Sequence, residues 1–215
     1  GSAWAPVGTG VEGGGVQGLA GLHGGTPDAV RFHRYPKCVL IGNGQSLSAA
    51  ADAGFCRRHG IDIARRVTGG GAVFMSPRML AWDVVLDRRL HAGGLDGITR
   101  AICEAVAAGL ARLGVRACFD PPNAIAIDGA KVSGSSGCVE GRAAALQGTV
   151  MIEDDVAEMA GALGMPEAAL RARVSCLAAS LGRVPALAEV QAAMVGELAA
   201  RLGRAPVHAQ PDQAE

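Results

Sequence analysis

Lysine is almost missing from this chain. Of the 20 basic residues only Lys37 and Lys131 are lysines, and the others are arginines. An arginine bias follows genome composition, so a retained lysine is the more informative residue. Net charge is missing too: 20 acidic residues balance the basic ones, and no basic block occurs. That argues against nucleic acid or an anionic membrane as the main partner. No apolar run approaches the roughly 18 residues of a membrane span, and no secretory signal is visible. The six cysteines form no Cys-x-x-Cys pair, and no Cys/His cluster has zinc spacing. The expectation is therefore a cytoplasmic protein with free thiols and no metal site. None of the five histidines has a partner suited to a Ser/His/Asp triad, and no internal repeat stands out.

What is present is apolar residue and glycine. Nearly half of the 215 residues are hydrophobic, enough for one domain with a large core. Residues 1–27 are glycine-rich with little periodicity and read as a loose N-terminal arm. Residues 28–203 read as the folded domain, and residues 204–215 as a flexible tail. Within the domain, Lys37–Gly42 reads as a buried strand. Ser46 is placed to cap a helix running to about His59, with Gly60 as its stop. Ile61–Arg65, Ala72–Met75, Ala81–Leu86, Val115–Phe119 and Leu146–Ile152 read as strands. Ile98–Leu113, Asp155–Leu163, Glu167–Arg173 and Leu187–Leu202 read as helices. Asp128-Gly129 between extended segments predicts a two-residue type I′ hairpin turn. Hairpins mixed with helices indicate an α/β (α+β) domain with a mixed sheet.

Three segments could carry chemistry. Arg65 and Arg66 meet Gly69, Gly70 and Gly71 just after a strand, followed by Ala72, Val73 and Phe74. Glycine lets a backbone come close to a ligand, its amides can cradle anionic oxygens, and arginine adds forked charge-assisted bonds. The same residues would also make a tight turn with two solvated arginines. Lys131 follows the Asp-Gly turn and precedes small residues including Ser133 and Gly134, so a movable charge sits on a fixed backbone with room beside it; a solvent-facing hairpin lysine is the plainer reading. Cys118 ends a strand before Pro121-Pro122-Asn123. A thiol there could serve as an acyl-accepting nucleophile, or be a small apolar residue at a strand end. Cys138, in a glycine-bounded loop, is a weaker thiol candidate, and the amide of Asn123 could fix either backbone or ligand.

Taken together, these segments resemble the lipoate–protein ligase and octanoyltransferase family, which shares its fold with biotin–protein ligases. Arg65-Arg66-Val-Thr-Gly69-Gly70-Gly71-Ala-Val-Phe looks like the family's Arg-Arg-x-[Ser/Thr]-Gly-Gly-Gly-Ala-Val-[Tyr/Phe] loop. Ile41-Gly42-Asn43-Gly44-Gln45 looks like its Gly-x-x-Gln strand end, and Asn123 through Ser135 its Asn-Asp…Gly-x-Lys-[Ile/Val]-Ser-Gly-Ser segment. Leu80–Val85 falls where the family has a Leu-x-[aromatic]-Ser strand. Gln147-Gly148-Thr149 corresponds to its His-Gly-[Thr/Ser]. The match covers roughly residues 28 to 190.

The resemblance implies a single domain with a mixed, largely antiparallel sheet flanked by helices. It implies activation of lipoate with ATP and Mg²⁺ to lipoyl-AMP, then transfer to a lysine of a lipoyl carrier domain. The glycine loop, Arg65, Arg66, Ala72, Val73 and Phe74, together with Asn123, Ser133, Gly134, Gln147, Gly148 and Thr149, would hold the ligand. Lys131 would stabilise the carbonyl oxyanion. Four departures qualify this. Ala124 stands where aspartate is expected, Gln147 where histidine is expected, and Gly13–Gly25 replaces an acidic helix. No C-terminal accessory domain follows. The last point implies either a separate small subunit or a route without adenylation. An octanoyltransferase branch of the family carries its nucleophile in a Cys-Phe-Asp-x-Pro segment, which Cys118-Phe119-Asp120-Pro121-Pro122 resembles. It would take octanoate from an acyl-carrier protein through a Cys118 acyl-enzyme. That branch tends to interrupt the glycine triplet with arginine, so the ligase-type reaction is the leading expectation. A degenerate homologue that binds an acyl or nucleotide ligand, or a partner, without turnover is the third.

Overall fold

A computed structural model describes residues 29–203; the expected N-terminal arm and C-terminal tail lie outside the described residues. Among the described residues, nine strands form two sheets. The large sheet has the order β1-β5-β9-β8-β7-β6, from β1 (Ala29–His33), β5 (Met79–Asp87), β6 (Ala117–Asp120), β7 (Ala124–Ile127), β8 (Ala130–Glu140) and β9 (Ala143–Met151), with every neighbouring pair antiparallel. The small sheet has the order β3-β2-β4, from β2 (Cys38–Ile41), β3 (Asp62–Arg65) and β4 (Val73–Met75).

Each strand of the large sheet alternates its side chains between two faces. One face carries Leu80, Trp82, Val84, Leu146, Val150 and Ile125, all fully buried against two helices, α3 (Gly94–Ala111) and α7 (Leu187–Leu202). Burying each such side chain contributes roughly 1.5–3 kcal/mol before entropy is counted. The other face carries Met79, Ala81 and Met151, which join a second core with the small sheet. Short helices complete that core: α1 (Leu47–Ala50), α2 (Ala53–Arg58), α4 (Val156–Leu163) and α5 (Glu167–Arg171). The site described below lies on this second face, beside the small sheet.

Two expectations need correction, and one element is added. The helix expected from Ser46 to His59 is two helices. Ala51 is extended, Asp52 N–H donates to Ala162 O at 2.9 Å, and the Asp52 carboxylate caps α2 by accepting from Phe55 N at 2.7 Å. A tertiary bond thus overrides a continuous helical pattern, and Ser46 makes no side-chain cap. Cys138 lies in a strand, not a loop, because β8 runs to Glu140 and pairs Cys138 with Ala145. A further helix, α6 (Leu177–Leu181), follows Cys176. The hairpin forms as expected: Asp128 and Gly129 have φ of 50° and 84°, the two positive values a type I′ turn demands.

Candidate active site

Lys131 reaches its position through a β-bulge. Ile125 pairs with Ser133 and Ala126 with Lys131, which leaves Val132 as an extra residue on β8. An extra residue reverses which face the following side chains take. Lys131 therefore shares the face of Gly134 and Ser136, while Ser133, 2% exposed, faces the helices with Ile125. Without the bulge, Lys131 would point into the helix-side core. Its backbone is held on the other side by a third segment: Lys131 N donates to Arg173 O, and Ser175 N donates to Lys131 O, both at 2.9 Å.

The Lys131 stem folds over Gly134. A Cβ built on Gly134 would lie 2.9 Å from both Cε and Nζ. The side chain keeps an exposed face, but crowding strips enough water to lower its pKa. Asp120 opposes the shift and Arg173 adds to it.

Register places Cys118 on this same face. Cys118 pairs with Ala126, which pairs with Lys131; Asp120 pairs with Ala124, which pairs with Gly134. Two strand spacings separate the Cys118 and Lys131 backbones, about 10 Å, and only alanine side chains stand between. The Cys118 side chain is exposed, unlike Cys38, Cys56, Cys103 and Cys176, which are buried.

The glycine loop comes over the same face from the small sheet. Its two arginines both bond backbone carbonyls. Arg65 gives one terminal nitrogen to the carbonyls of Gly42, Asn43 and Gln45 at 2.8, 2.9 and 2.8 Å. Arg66 donates to Leu40 O (2.8 Å), Gly69 O (2.6 Å), Gly71 O (2.7 Å) and Thr68 Oγ1 (3.1 Å). These bonds give the loop its shape: Gly70 sits at φ 91°, and its carbonyl fills the space where Gly42 would carry a Cβ, 2.0 Å away. Around Gly69 and Gly71 a Cβ would meet nothing within 4 Å, so the loop's outer backbone is open to a ligand. Thr68, 1% exposed, docks the loop on the sheet through Ser136 Oγ at 2.9 Å.

The remaining candidates divide by face. Gln147 and Thr149 lie on the Lys131 face, opposite Ser136 and Gly134. Gly148 lies on the helix face, where the Trp82 ring occupies the place of its absent side chain. Asn123 is engaged in pinning its loop to β8: its amide donates to Ser135 O, and its carbonyl accepts from Ser135 N. Phe74 is core, 1% exposed, while Ala72 and Val73 are half-buried. Asp83, half of a buried pair with His33, was not anticipated. It faces Gln147 across β5 and β9, donor to acceptor at 3.2 Å. Residue pattern held no sign of that pairing, because the partners are 64 positions apart.

A largely antiparallel sheet backed by helices on one face, with a glycine loop docked on the other face, which also carries a hairpin lysine, is the build of lipoate ligase-type α/β domains. The chain belongs to the lipoyl protein ligase A/B catalytic domain family, whose model matches residues 19–199. An octanoyltransferase LipM from Symbiobacterium thermophilum is 29% identical over 204 residues, covering 80% of this chain and 74% of that protein. Lipoate-protein ligase A subunit 1 from Thermoplasma acidophilum is 26% identical over 70% of this chain and 61% of that one. In fold, the chain matches a bipartite lipoate protein ligase from Thermoplasma acidophilum with a TM-score of 0.81 at 24% identity, covering 88% of this chain and 76% of that one. A lipoate-protein ligase A solved with ATP bound gives 0.78 at 23% identity, over 88% and 78%. Among the described residues no three His, Cys, Asp or Glu side chains gather as a metal site, and no helix is long and apolar enough to cross a membrane.

Proposed function

We propose that this protein transfers an eight-carbon acyl group, octanoyl or lipoyl, to a lysine of a lipoyl carrier domain, with Cys118 as the intermediate acyl carrier. The observation that carries the reading is the shared row of Cys118 and Lys131 on one sheet face, both of them exposed.

In the first half-reaction the Cys118 sulfur attacks the thioester carbonyl of an acyl-carrier protein. The C–S bond to Cys118 forms, the bond to the carrier sulfur breaks, and the thiol proton leaves with the carrier thiol. In the second, the ε-amine of the acceptor lysine attacks the Cys118 thioester. A C–N bond forms, the C–S bond breaks, and the surplus amine proton returns to the Cys118 sulfur. Each step builds negative charge on the carbonyl oxygen, which the Lys131 ammonium neutralises. Such fixed electrostatic stabilisation usually supplies the largest share of catalysis.

The open backbone at Gly69 and Gly71 favours a second reading, in which the acyl group arrives as an adenylate made from lipoate and ATP. There the loop amides and Lys131 would meet the phosphate, Mg²⁺ would come with the nucleotide, and a separate small subunit could complete adenylation. Intact-mass analysis separates the two. The protein is mixed with a lipoyl-domain acceptor, once with octanoyl-carrier protein and once with lipoate plus Mg-ATP. An acyl adduct mapped to Cys118 and an acylated acceptor in the first mixture support the thioester route. Acylation only with ATP would replace it by the ligase, and none in either would leave a binding module.

A further inference from the structure

The glycine loop is tied to the sheet by a chain of polar side chains that runs from Arg66 through Thr68 and Gln147 to Asp83. Thr68 Oγ1 has one hydrogen and two lone pairs. Arg66 Nε occupies one lone pair at 3.1 Å. Gln147 gives its Nε2 to Asp83 Oδ1 at 3.2 Å, so its Oε1 faces Thr68 and accepts the threonine hydrogen at 3.4 Å, the longest link. The Ser136 hydroxyl lies 2.9 Å from Thr68 Oγ1, in reach to give or take a hydrogen. Asp83 accepts, so Gln147 presents its carbonyl to the loop, and Thr68 is held between that carbonyl and Ser136.

The chain's two anchors are shielded from water, while Gln147, Ser136 and Arg66 between and beside them are half-buried. Asp83 and Thr68 are 9% and 1% exposed, and His33, 7% exposed, stands behind with Nδ1 3.5 Å from Asp83 Oδ2. A misdirected amide here would set its oxygen against the buried Asp83 carboxylate, acceptor to acceptor, which is costly in a shielded network. Arg66, whose other nitrogens hold Gly69 O and Gly71 O, is clamped by Thr68 in turn. The loop's shape is thus set four side chains away, on β5.

We propose that Asp83 is a positioning residue: through Gln147 and Thr68 it fixes the glycine loop in the shape that receives the acyl group. The proposal rests on the acyl-transfer reading for its kinetic consequence, but not for its structural one.

The test is a reciprocal exchange. Gln147→Glu removes the amide donor and sets two carboxylates face to face. Asp83→Asn combined with Gln147→Glu restores one donor and one acceptor with their places swapped, and leaves a glutamate oxygen toward Thr68. The expected result is that Q147E speeds hydrogen exchange at the amides of Gly69, Gly70 and Gly71 and raises KM for the acyl donor on the order of tenfold, with kcat changed less. The double variant returns both towards the unmodified protein, a coupling that independent sites would not show. Thr68→Val cuts the chain at its other end and should loosen the same three amides even if Q147E folds poorly. Unaltered loop exchange in Q147E and T68V, or a double variant no better than Q147E, would overturn the proposal. Lack of acyl transfer by the unmodified protein would end the functional reading alone, because the exchange comparison needs no turnover.

Discussion

The ammonium of Lys131 occupies the space that a side chain on Gly134 would need, with Nζ and Cε each 2.9 Å from that position. A residue three positions further along the strand therefore decides where the cation stands. Because the stem is flexible, a methyl group at Gly134 displaces the ammonium rather than the backbone. Gly134→Ala is expected to lower acyl-transfer turnover on the order of tenfold without moving the melting temperature. Lys131→Ala should cost about two orders of magnitude or more, again with the fold intact, since the side chain is exposed and outside both cores. Single-turnover acylation of a lipoyl domain, run beside thermal melts, checks both. A Lys131→Ala variant with unaltered turnover would remove the oxyanion role.

The same cation predicts a pH dependence. The reaction needs Lys131 charged, and crowding and Arg173 hold its pKa below lysine's ordinary 10.5 while Asp120 pulls the other way. Turnover should therefore fall on the alkaline side at a lower pH than an ordinary lysine would give. Arg173→Gln removes a like charge and should move that limb upward; Asp120→Asn removes an opposite charge and should move it downward. Folding follows the opposite trend: the unfolded chain keeps this proton longer, so stability rises with pH between the lowered value and 10.5. A pH–rate profile of the three proteins would expose an error in sign.

How much of this was legible beforehand varied with the range of the determinant. The hairpin was legible because Asp128-Gly129 demands its turn from two residues alone. The order of motifs was enough to indicate the family, since several short patterns in sequence constrain one another. The direction of Lys131 was not legible. It depends on the bulge at Val132, and nothing local distinguishes that valine from any other strand residue. Arg65 and Arg66 were expected to face a ligand, yet their bonds go to carbonyls of their own loop and its neighbour. A guanidinium's direction is decided by which carbonyls the tertiary fold leaves unpaired, and residue type does not carry that. The split of the helix at Asp52 has the same origin, a bond to Ala162 more than a hundred residues away.

Gly42 and Gly70 make the close contact that lets the loop fold back on β2. A Cβ at Gly42 would stand 2.0 Å from Gly70 O, a backbone atom that cannot swing aside. Gly42→Ala is expected to push the loop outward, break one or both of the Arg66 bonds to Gly69 O and Gly71 O, and cost about 1–3 kcal/mol by overpacking. Gly69→Ala, where the added methyl meets nothing within 4 Å, is the matched comparison and should leave stability nearly unchanged. Urea midpoints at constant slope measure the difference. Equal midpoints for the two variants would show that the loop is not held by this contact.

Thiol reactivity provides the most direct check on Cys118. A thiolate attacks alkylating reagents, and a thiol does not, so burial protects twice, by access and by pKa. Burial pushes Cys38 up to about 12 and raises Cys56 and Cys103 as well, while half-buried Cys138 is raised by the same cause with Glu140 adding to it. Cys118 alone among the described cysteines is exposed. Brief treatment of the folded protein with iodoacetamide near neutral pH is expected to modify Cys118 first, by peptide mapping, and the four buried thiols only after denaturation. If Cys118 is the acyl carrier, prior incubation with octanoyl-carrier protein should shield it, and hydroxylamine, which cleaves thioesters, should restore its labelling. Labelling unaffected by the acyl donor would leave Cys118 an accessible thiol with no part in transfer, and the adenylate route would then have to supply the acyl group.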